Sequence, residues 1–365
     1  VFVAAEVNDN LAQISNVLMY SAMAVYTLSF LAHCMEWVFG SRSRVAVQSA
    51  ALAAASRASE AAEAAKASAV SVTVATRGGG TMTLERPRVV TRSAGRPAKD
   101  GPGAAGTDQR ADVLGRMAVS LTALAFVLHF GSVVARGVSV QRPPWGNMYE
   151  FSTAFSLMAV GTYLGLLLAK RPVRWLGLPV TTAVLLDLGL AVSVLYTESD
   201  QLVPALDSYW LWIHVSTAII SGAALYLGAV AAVLYLFKDR YEAARLAGRD
   251  GGRLATVWQR LPSAASLDKF AYRVNALIFP LYTFAIIAGA IWAEAAWGRY
   301  WGWDPKEIWS FVTWVGYAAY LHARATAGWK GRRAAYLALI AFACFLFNYY
   351  GVNIFITGKH SYAGV

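Results

Sequence analysis

The chain has 365 residues, is 57% hydrophobic and only 15% charged, and carries a formal net charge of +11. Soluble domains place roughly a quarter of their residues in charged types, so this composition excludes an ordinary soluble enzyme and points to a membrane protein. The positive balance comes with no nucleic-acid motif, so no nucleic-acid partner is expected; it follows instead the bias of short cytoplasmic loops toward Lys and Arg.

A membrane-spanning helix needs about 20 mostly apolar residues. Eight runs approach or exceed that length: Leu11–Phe39, Val113–Ala135, Met148–Ala169, Trp175–Tyr196, Tyr209–Phe237, Phe270–Ala293, Ile308–Leu321 with its flanks, and Ala334–Thr357. The expected fold class is all-α, a polytopic helical bundle of eight transmembrane helices in a lipid bilayer. Residues 1–40 hold the first. That run is too long for the h-region of a signal peptide and has no basic n-region before it, so no cleavable signal is expected.

Residues 41–112 are a different material, rich in Ala, Ser, Arg and Gly, with "RGGG" and "GRPAKDGPGAAGTDQR". Their first part, Ala46–Ala69, reads as a polar Ala-rich helix. The rest reads as a largely disordered cytoplasmic insertion. Residues 113–365 then form a seven-helix membrane domain. Cys34 and Cys344 fall inside apolar runs and read as small buried residues rather than a disulfide.

The cations alternate between loops. Arg42 to Arg96 follow the first run, "KRPVR" joins the third to the fourth, Lys238 to Arg260 join the fifth to the sixth, and Arg324 to Arg333 join the seventh to the eighth. These loops share the cytoplasmic side by the positive-inside rule. The other loops and both termini are expected outside.

This topology sorts the five histidines. His214 lies within two turns of the outer end of the fifth run. His360 lies just past the outer end of the eighth. Between them in sequence, on the same side, is "WGRYWGWDPKE". His322 and His33 sit near inner ends, and His129 lies within the second run. A single His at a helix end is usually an interfacial or hydrogen-bonded residue. An ionisable group inside a membrane is nevertheless a functional candidate, and two beside a Trp cluster strengthen the case.

Zinc would need a third or fourth ligand, and the outer loops offer Asp and Glu but no Cys and no HxxH spacing. Paired imidazoles beside flat aromatic walls suit haem b better, because its iron takes two axial ligands and Trp can cover its apolar edge. Arg142, Arg299, Lys306 and Lys359 supply outer-side cations for its propionates.

"DPKE" reads as a helix start, with Asp304 as N-cap, Pro305 as the first helical residue and Glu307 completing a capping box. Asp304 thus has a structural role before any chemical one. Trp297, Trp301 and Trp303, interleaved with Gly298 and Gly302, read as a shaped platform. Trp309 and Trp314 read as packing residues.

The Trp-rich stretch resembles the WWD signature of haem-handling membrane proteins. "PPWGNMYEF" (Pro143–Phe151), "HARATAGWKG" (His322–Gly331) and "FNYYGVNIFITGKHSY" (Phe347–Tyr362) resemble the CcsA/ResC group of cytochrome c biogenesis proteins, called CcsB in some nomenclatures. The resemblance covers most of Val113–Val365. It implies a subunit of a system II cytochrome c synthase, or haem lyase, in the bacterial plasma membrane or its thylakoid equivalent. That subunit acts with a ResB-type membrane protein, moves haem to the outer face and attaches it to the CxxCH motif of apocytochrome c. Carried over by motif, His214 and His360 are outer axial ligands, and Trp297, Trp301, Trp303 and Asp304 form the haem-facing platform, with Arg299 a further cofactor-binding candidate. Trp145, Asn147 and Glu150 add cofactor contacts, and Asp304 and Glu150 are candidate proton acceptors, Asp304 being the catalytic candidate. His322 matches a ligand for haem deeper in the membrane, whose axial partner comes from the ResB-type protein; His33 is a self-supplied alternative. A haem transporter or chaperone without synthase activity, of the CcmC kind, would share the Trp motif but with fewer spans. A membrane b-type electron carrier would pair His on facing helices at matched depth.

Overall fold

The computed structural model describes residues 7–39, 72–75, 81–84, 113–201, 208–248 and 255–360. The helices are α1 (Asp9–Phe39), α2 (Val113–Ser139), α3 (Met148–Leu168), α4 (Gly177–Ser193), α5 (Tyr209–Leu246), the short α6 (Ala255–Trp258), α7 (Ala264–Trp297), α8 (Pro305–Ala325) and α9 (Arg332–Leu346). A π-helical turn, Phe347–Gly351, links α9 to the single turn α10 (Val352–Phe355).

Seven described helical segments are long and apolar enough to cross a membrane, with Arg332–Phe355 counted as one. Helix α8 has 21 residues, the length of a span, but opens with Lys306 and Glu307 and ends near His322 and Arg324. It is the least apolar of the set and packs on α9 and α7. The architecture is therefore the polytopic helical bundle that the composition demands. Helix α5 has 38 residues, about 57 Å of helix at 1.5 Å per residue. That exceeds the roughly 30 Å hydrocarbon layer, so its basic end, Lys238 to Arg245, projects beyond the lipid.

Within the insertion, only residues 72–75 and 81–84 are described. Strands β1 (Val72–Ala75) and β2 (Thr81–Leu84) pair antiparallel, with Val72 opposite Leu84 and Thr73 opposite Thr83. Alternating Val and Thr favour extended backbone within a background rich in Ala, Gly and Arg. The Ala46–Ala69 segment lies outside the described residues.

Helix α1 lies along α2 and also touches α4. The α1–α2 seam is built from small and hydroxyl residues, which let helix backbones approach closely in lipid. The Ser15 hydroxyl donates to the Ser132 carbonyl at 2.8 Å, and Ser29 meets Thr122 at 2.6 Å. His33 is fully buried in this seam. Its Nδ1 meets Glu36 Oε2 and its Nε2 meets Thr122 Oγ1, each at 3.3 Å. Glu36 also accepts from Arg174, while Arg260 donates to the Glu36 backbone carbonyl at 2.6 Å. This ties the end of α1 to the turn before α4 and to the loop before α7. Helices α5 and α7 form the central pair, against which α3, α8 and α9 pack.

Candidate functional site

Three helix starts converge at one end of the bundle, each set by a local cap. The Asn147 side chain accepts from the Glu150 amide at the start of α3, Ser208 from the Trp210 amide at the start of α5, and Asp304 from the Lys306 amide at the start of α8. The Asp304–Glu307 capping box is complete: Glu307 Oε2 accepts from the Asp304 amide at 3.0 Å and from the Gly302 amide at 2.8 Å. Helix α7 ends at Gly298, whose φ of +69° closes the turn through its amide to the Glu294 carbonyl. The chain then crosses in six residues, Arg299–Asp304, to α8. Trp303 holds a φ of +59°, a left-handed backbone that costs an L side chain about 1–2 kcal/mol.

These ends surround a cavity. Its walls are aromatic and aliphatic, with Trp145, Phe151, Trp292, Trp297, Trp301 and Tyr349 prominent, and its polar groups include His214, His360, Lys306 and Asn348.

Both imidazoles are oriented by their Nδ1 atoms. His214 Nδ1 lies 2.7 Å from the Ala285 carbonyl. A carbonyl only accepts, so Nδ1 carries the proton and the neutral ring has its lone pair on Nε2. The ring stacks on Trp292 at 6.2 Å and 9°, and a Cβ on Gly289 would lie 2.7 Å from His214 Cε1. His360 Nδ1 lies 2.8 Å from Asp304 Oδ1, which again leaves the lone pair on Nε2. His360 meets Trp297 edge-on at 5.0 Å and Trp292 at 6.0 Å. Both rings therefore contact Trp292, and their centres are at most about 12 Å apart. Orienting a ligating imidazole through its second nitrogen is how metal sites fix tautomer and basicity.

The segment that bears His360 is docked by the α8 cap. Asp304 Oδ2 accepts from the Lys359 amide at 2.7 Å. Burial alone would raise the Asp304 carboxyl. The His360 hydrogen bond, the Lys359 amide and the Lys306 amide outweigh burial and hold it at about 2. Burial pushes the His360 imidazole below its ordinary value, against the pull of Asp304.

The structure brings together His214, His360, Trp145, Asn147, Trp297 and Trp301 around the cavity. It does not bring all the candidates there. Trp303 is 64% exposed and touches the site only through Trp301, edge-on at 5.8 Å. Its left-handed backbone lies just ahead of the α8 cap, outside the cavity wall. Arg299 is engaged by Glu307 at 3.3 Å and lies over the Trp297 ring. Glu150 is fully buried behind the wall, accepting from Arg136 Nε at 3.0 Å, Arg142 at 2.8 Å and the Gly146 amide at 2.8 Å. It fixes the Pro143–Asn147 turn. Arg142 is spent on that same carboxylate. Asp304 sits behind His360 as its orienting partner rather than in the wall.

His322 lies 18 residues along α8 from its N-cap, about 27 Å down the helix axis, and is exposed. His33 belongs to the buried Glu36–Thr122 seam, with both ring nitrogens engaged. Trp309 packs on Phe347, and Trp314 packs on Phe279 while donating to Thr283, as expected of packing residues. Sequence reasoning missed Trp292 and Gly289. Trp292 sits five residues before Trp297 on a helix whose local pattern reads as ordinary apolar span. The small residue opposite His214 had no signal of its own.

Together these features define a class: a polytopic helical membrane protein with two Nδ1-anchored imidazoles in a tryptophan-walled cavity at one end of the bundle. Residues 117–360 match the family described as cytochrome C assembly protein. The chain is 34% identical over 298 residues to the cytochrome c biogenesis protein CcsA of Gloeobacter violaceus, covering 70% of this chain and 88% of that protein. It is 37% identical over 265 residues to the CcsA of a Synechocystis strain, covering 60% and 79%, and 36% identical over 288 residues to that of Microcystis aeruginosa, covering 68% and 87%. The chain belongs to the cytochrome c assembly protein family, among its CcsA-type members, and is an integral membrane protein with a role in cytochrome c maturation.

Proposed function

We propose that this chain is the haem-presenting subunit of a system II cytochrome c synthase, with the cavity as the outer-face site of haem attachment. The observation that carries this reading is the pair His214 and His360. Each imidazole has its Nδ1 engaged and its lone pair on Nε2, and both contact Trp292 in one aromatic cavity.

Haem b is the substrate. His214 and His360 ligate its iron axially, and Trp145, Trp297 and Trp301 cover the ring. Lys306, the sole Lys or Arg among the described residues lining the cavity, meets a propionate. The ring edge that bears the vinyl groups faces the CxxCH segment of apocytochrome c. Each cysteine thiol adds across one vinyl: a carbon–sulfur bond forms, the thiol hydrogen moves to the other vinyl carbon, and the ring is neither oxidised nor reduced. No side chain here needs to act as nucleophile, so the contribution is positioning, which can supply several kcal/mol of barrier lowering. The histidine of CxxCH then replaces one axial imidazole and the product leaves. His322, exposed near the other end of α8, is the ligand for incoming haem, with its second axial ligand from a ResB-type partner.

The visible spectrum of the purified protein with its ResB-type partner tests this. A low-spin bis-imidazole spectrum that is lost in His214→Ala and His360→Ala, together with holocytochrome c formation, is expected. A colourless preparation from haem-replete cells, or normal holocytochrome c in the double variant, would overturn it.

A further inference from the structure

The π-helical turn Phe347–Gly351 interrupts the last span at the level of the cavity. Such turns carry i→i+5 hydrogen bonds, here from the Val352 amide to the Phe347 carbonyl, and they cluster at functional sites. Two of its residues face the cavity, Asn348 and Tyr349. The next one, Tyr350, points the other way. Its hydroxyl donates to Asp187, a buried carboxylate in the middle of α4 that also accepts from Ser156 of α3 at 2.6 Å. Tyr349 is pinned as well, through its hydroxyl to Ser152 and to the Met148 carbonyl.

On its cavity side the turn holds the lysine. Lys306 Nζ donates to the Asn348 carbonyl at 3.3 Å and lies 5.9 Å over the Tyr349 ring. An acidic residue inside a span is costly and is retained for a reason. Asp187 has no place in the cavity wall and takes no part in the proposed chemistry. Its contact is to the turn that carries both groups holding Lys306.

We propose that Asp187, acting through Tyr350 and the π-helical turn, is a positioning residue that sets Lys306 for recognition of a carboxylate on the substrate. This rests on the reading of the cavity as a haem site and names its specificity device. The carboxylate-bearing end of the ligand lies against α8 and the π-turn. The wider helical turn gives the carbonyl and the ring that hold the ammonium. Asp187 and Ser152 fix that turn from behind, through two tyrosine hydroxyls that point away from the ligand or along the wall.

The test compares haem with haem dimethyl ester, which keeps the ring and iron but lacks both carboxylates. Affinities are read by absorbance titration of the full-length protein stripped of haem. Wild type should prefer haem. Lys306→Met should cut that preference about 10-fold or more, the loss expected for a hydrogen bond to a charged group. Tyr350→Phe should cut it about 3- to 10-fold while leaving ester affinity unchanged, and should add nothing in the Lys306→Met background, because coupled residues act through one contact. Asp187→Asn serves where Tyr350→Phe does not accumulate, with the same loss expected. Full preference retained in Tyr350→Phe, or losses that add in the double variant, would overturn the proposal, as would a wild type that binds haem and ester equally. Failure of wild type to bind either ligand would instead overturn the haem-site reading itself.

Discussion

Asp304 Oδ1 and His360 Nδ1 meet at 2.8 Å at the point where α8 begins. One carboxylate therefore performs two tasks. It caps the helix through the Lys306 amide, and it orients an imidazole 56 residues later in the chain while its other oxygen takes the Lys359 amide. A local sequence signal, the capping box, is what docks the segment that follows α10.

Asp304→Asn separates the two tasks. Asn is as good an N-cap as Asp, so thermal stability should hold within about 1 kcal/mol. The anionic acceptor behind His360 is lost, and such partners are typically worth 10- to 100-fold in metal affinity. Haem retention, read by absorbance after detergent dilution, should fall by about that factor. Unchanged retention would leave Asp304 with only its cap.

Gly289→Ala should act on His214. The new Cβ would lie 2.7 Å from His214 Cε1, closer than side-chain atoms tolerate. Helix α7 should not suffer, since Ala is the better helix former by about 1 kcal/mol. The expected result is normal accumulation with loss of the low-spin spectrum. An unaltered spectrum would show that the His214 ring moves aside without cost.

The tryptophans should divide by burial. Trp297→Ala and Trp301→Ala remove cavity wall and should weaken haem retention at unchanged expression. Trp303→Ala should have the smallest effect of the three, because its ring is 64% exposed outside the cavity. Trp303→Gly should stabilise the loop by about 1 kcal/mol through relief of the left-handed backbone. Equal losses for all three in an absorbance titration would restore Trp303 to the platform.

Acid should act on His360 before Asp304. The folded imidazole sits below its ordinary 6.5, so the unfolded chain binds more protons there than the folded one. Its contribution to stability is present above pH 6.5 and declines as pH falls through and below that value. Ligation, which needs the Nε2 lone pair, should persist below pH 6.5 for the same reason. Asp304, held at about 2, stays ionised throughout. A spectral transition in wild type with its midpoint above 6.5 would contradict this assignment.

Much of this protein is legible without coordinates, and the reasons are local or set by the lipid. Runs of about 20 apolar residues are read directly because an unpaired backbone cannot cross hydrocarbon. Asp304, Pro305 and Glu307 form the box that their spacing announces, because a cap involves only neighbours in sequence. His214 and His360 fall at one end of the bundle because each span reverses direction, so parity alone brings them together. In the insertion, the Val72–Ala75 and Thr81–Leu84 pairing is carried by a few β-branched residues in an Ala- and Gly-rich background.

What the sequence by itself determined, then, is the membrane class, the helix starts and the end of the bundle where chemistry gathers. Only the tertiary structure decided which polar groups serve the cavity and which are consumed by packing. Glu150 is taken by Arg136 and Arg142, Arg299 by Glu307, and His33 by Glu36 and Thr122, whereas Trp292 contacts both imidazoles. The physical reason is that a buried polar group must find its partner among whatever neighbours packing provides. Those neighbours, 3 to 89 residues away in the cases of Glu150 and His33, follow from helix rotation and approach as much as from spacing along the chain.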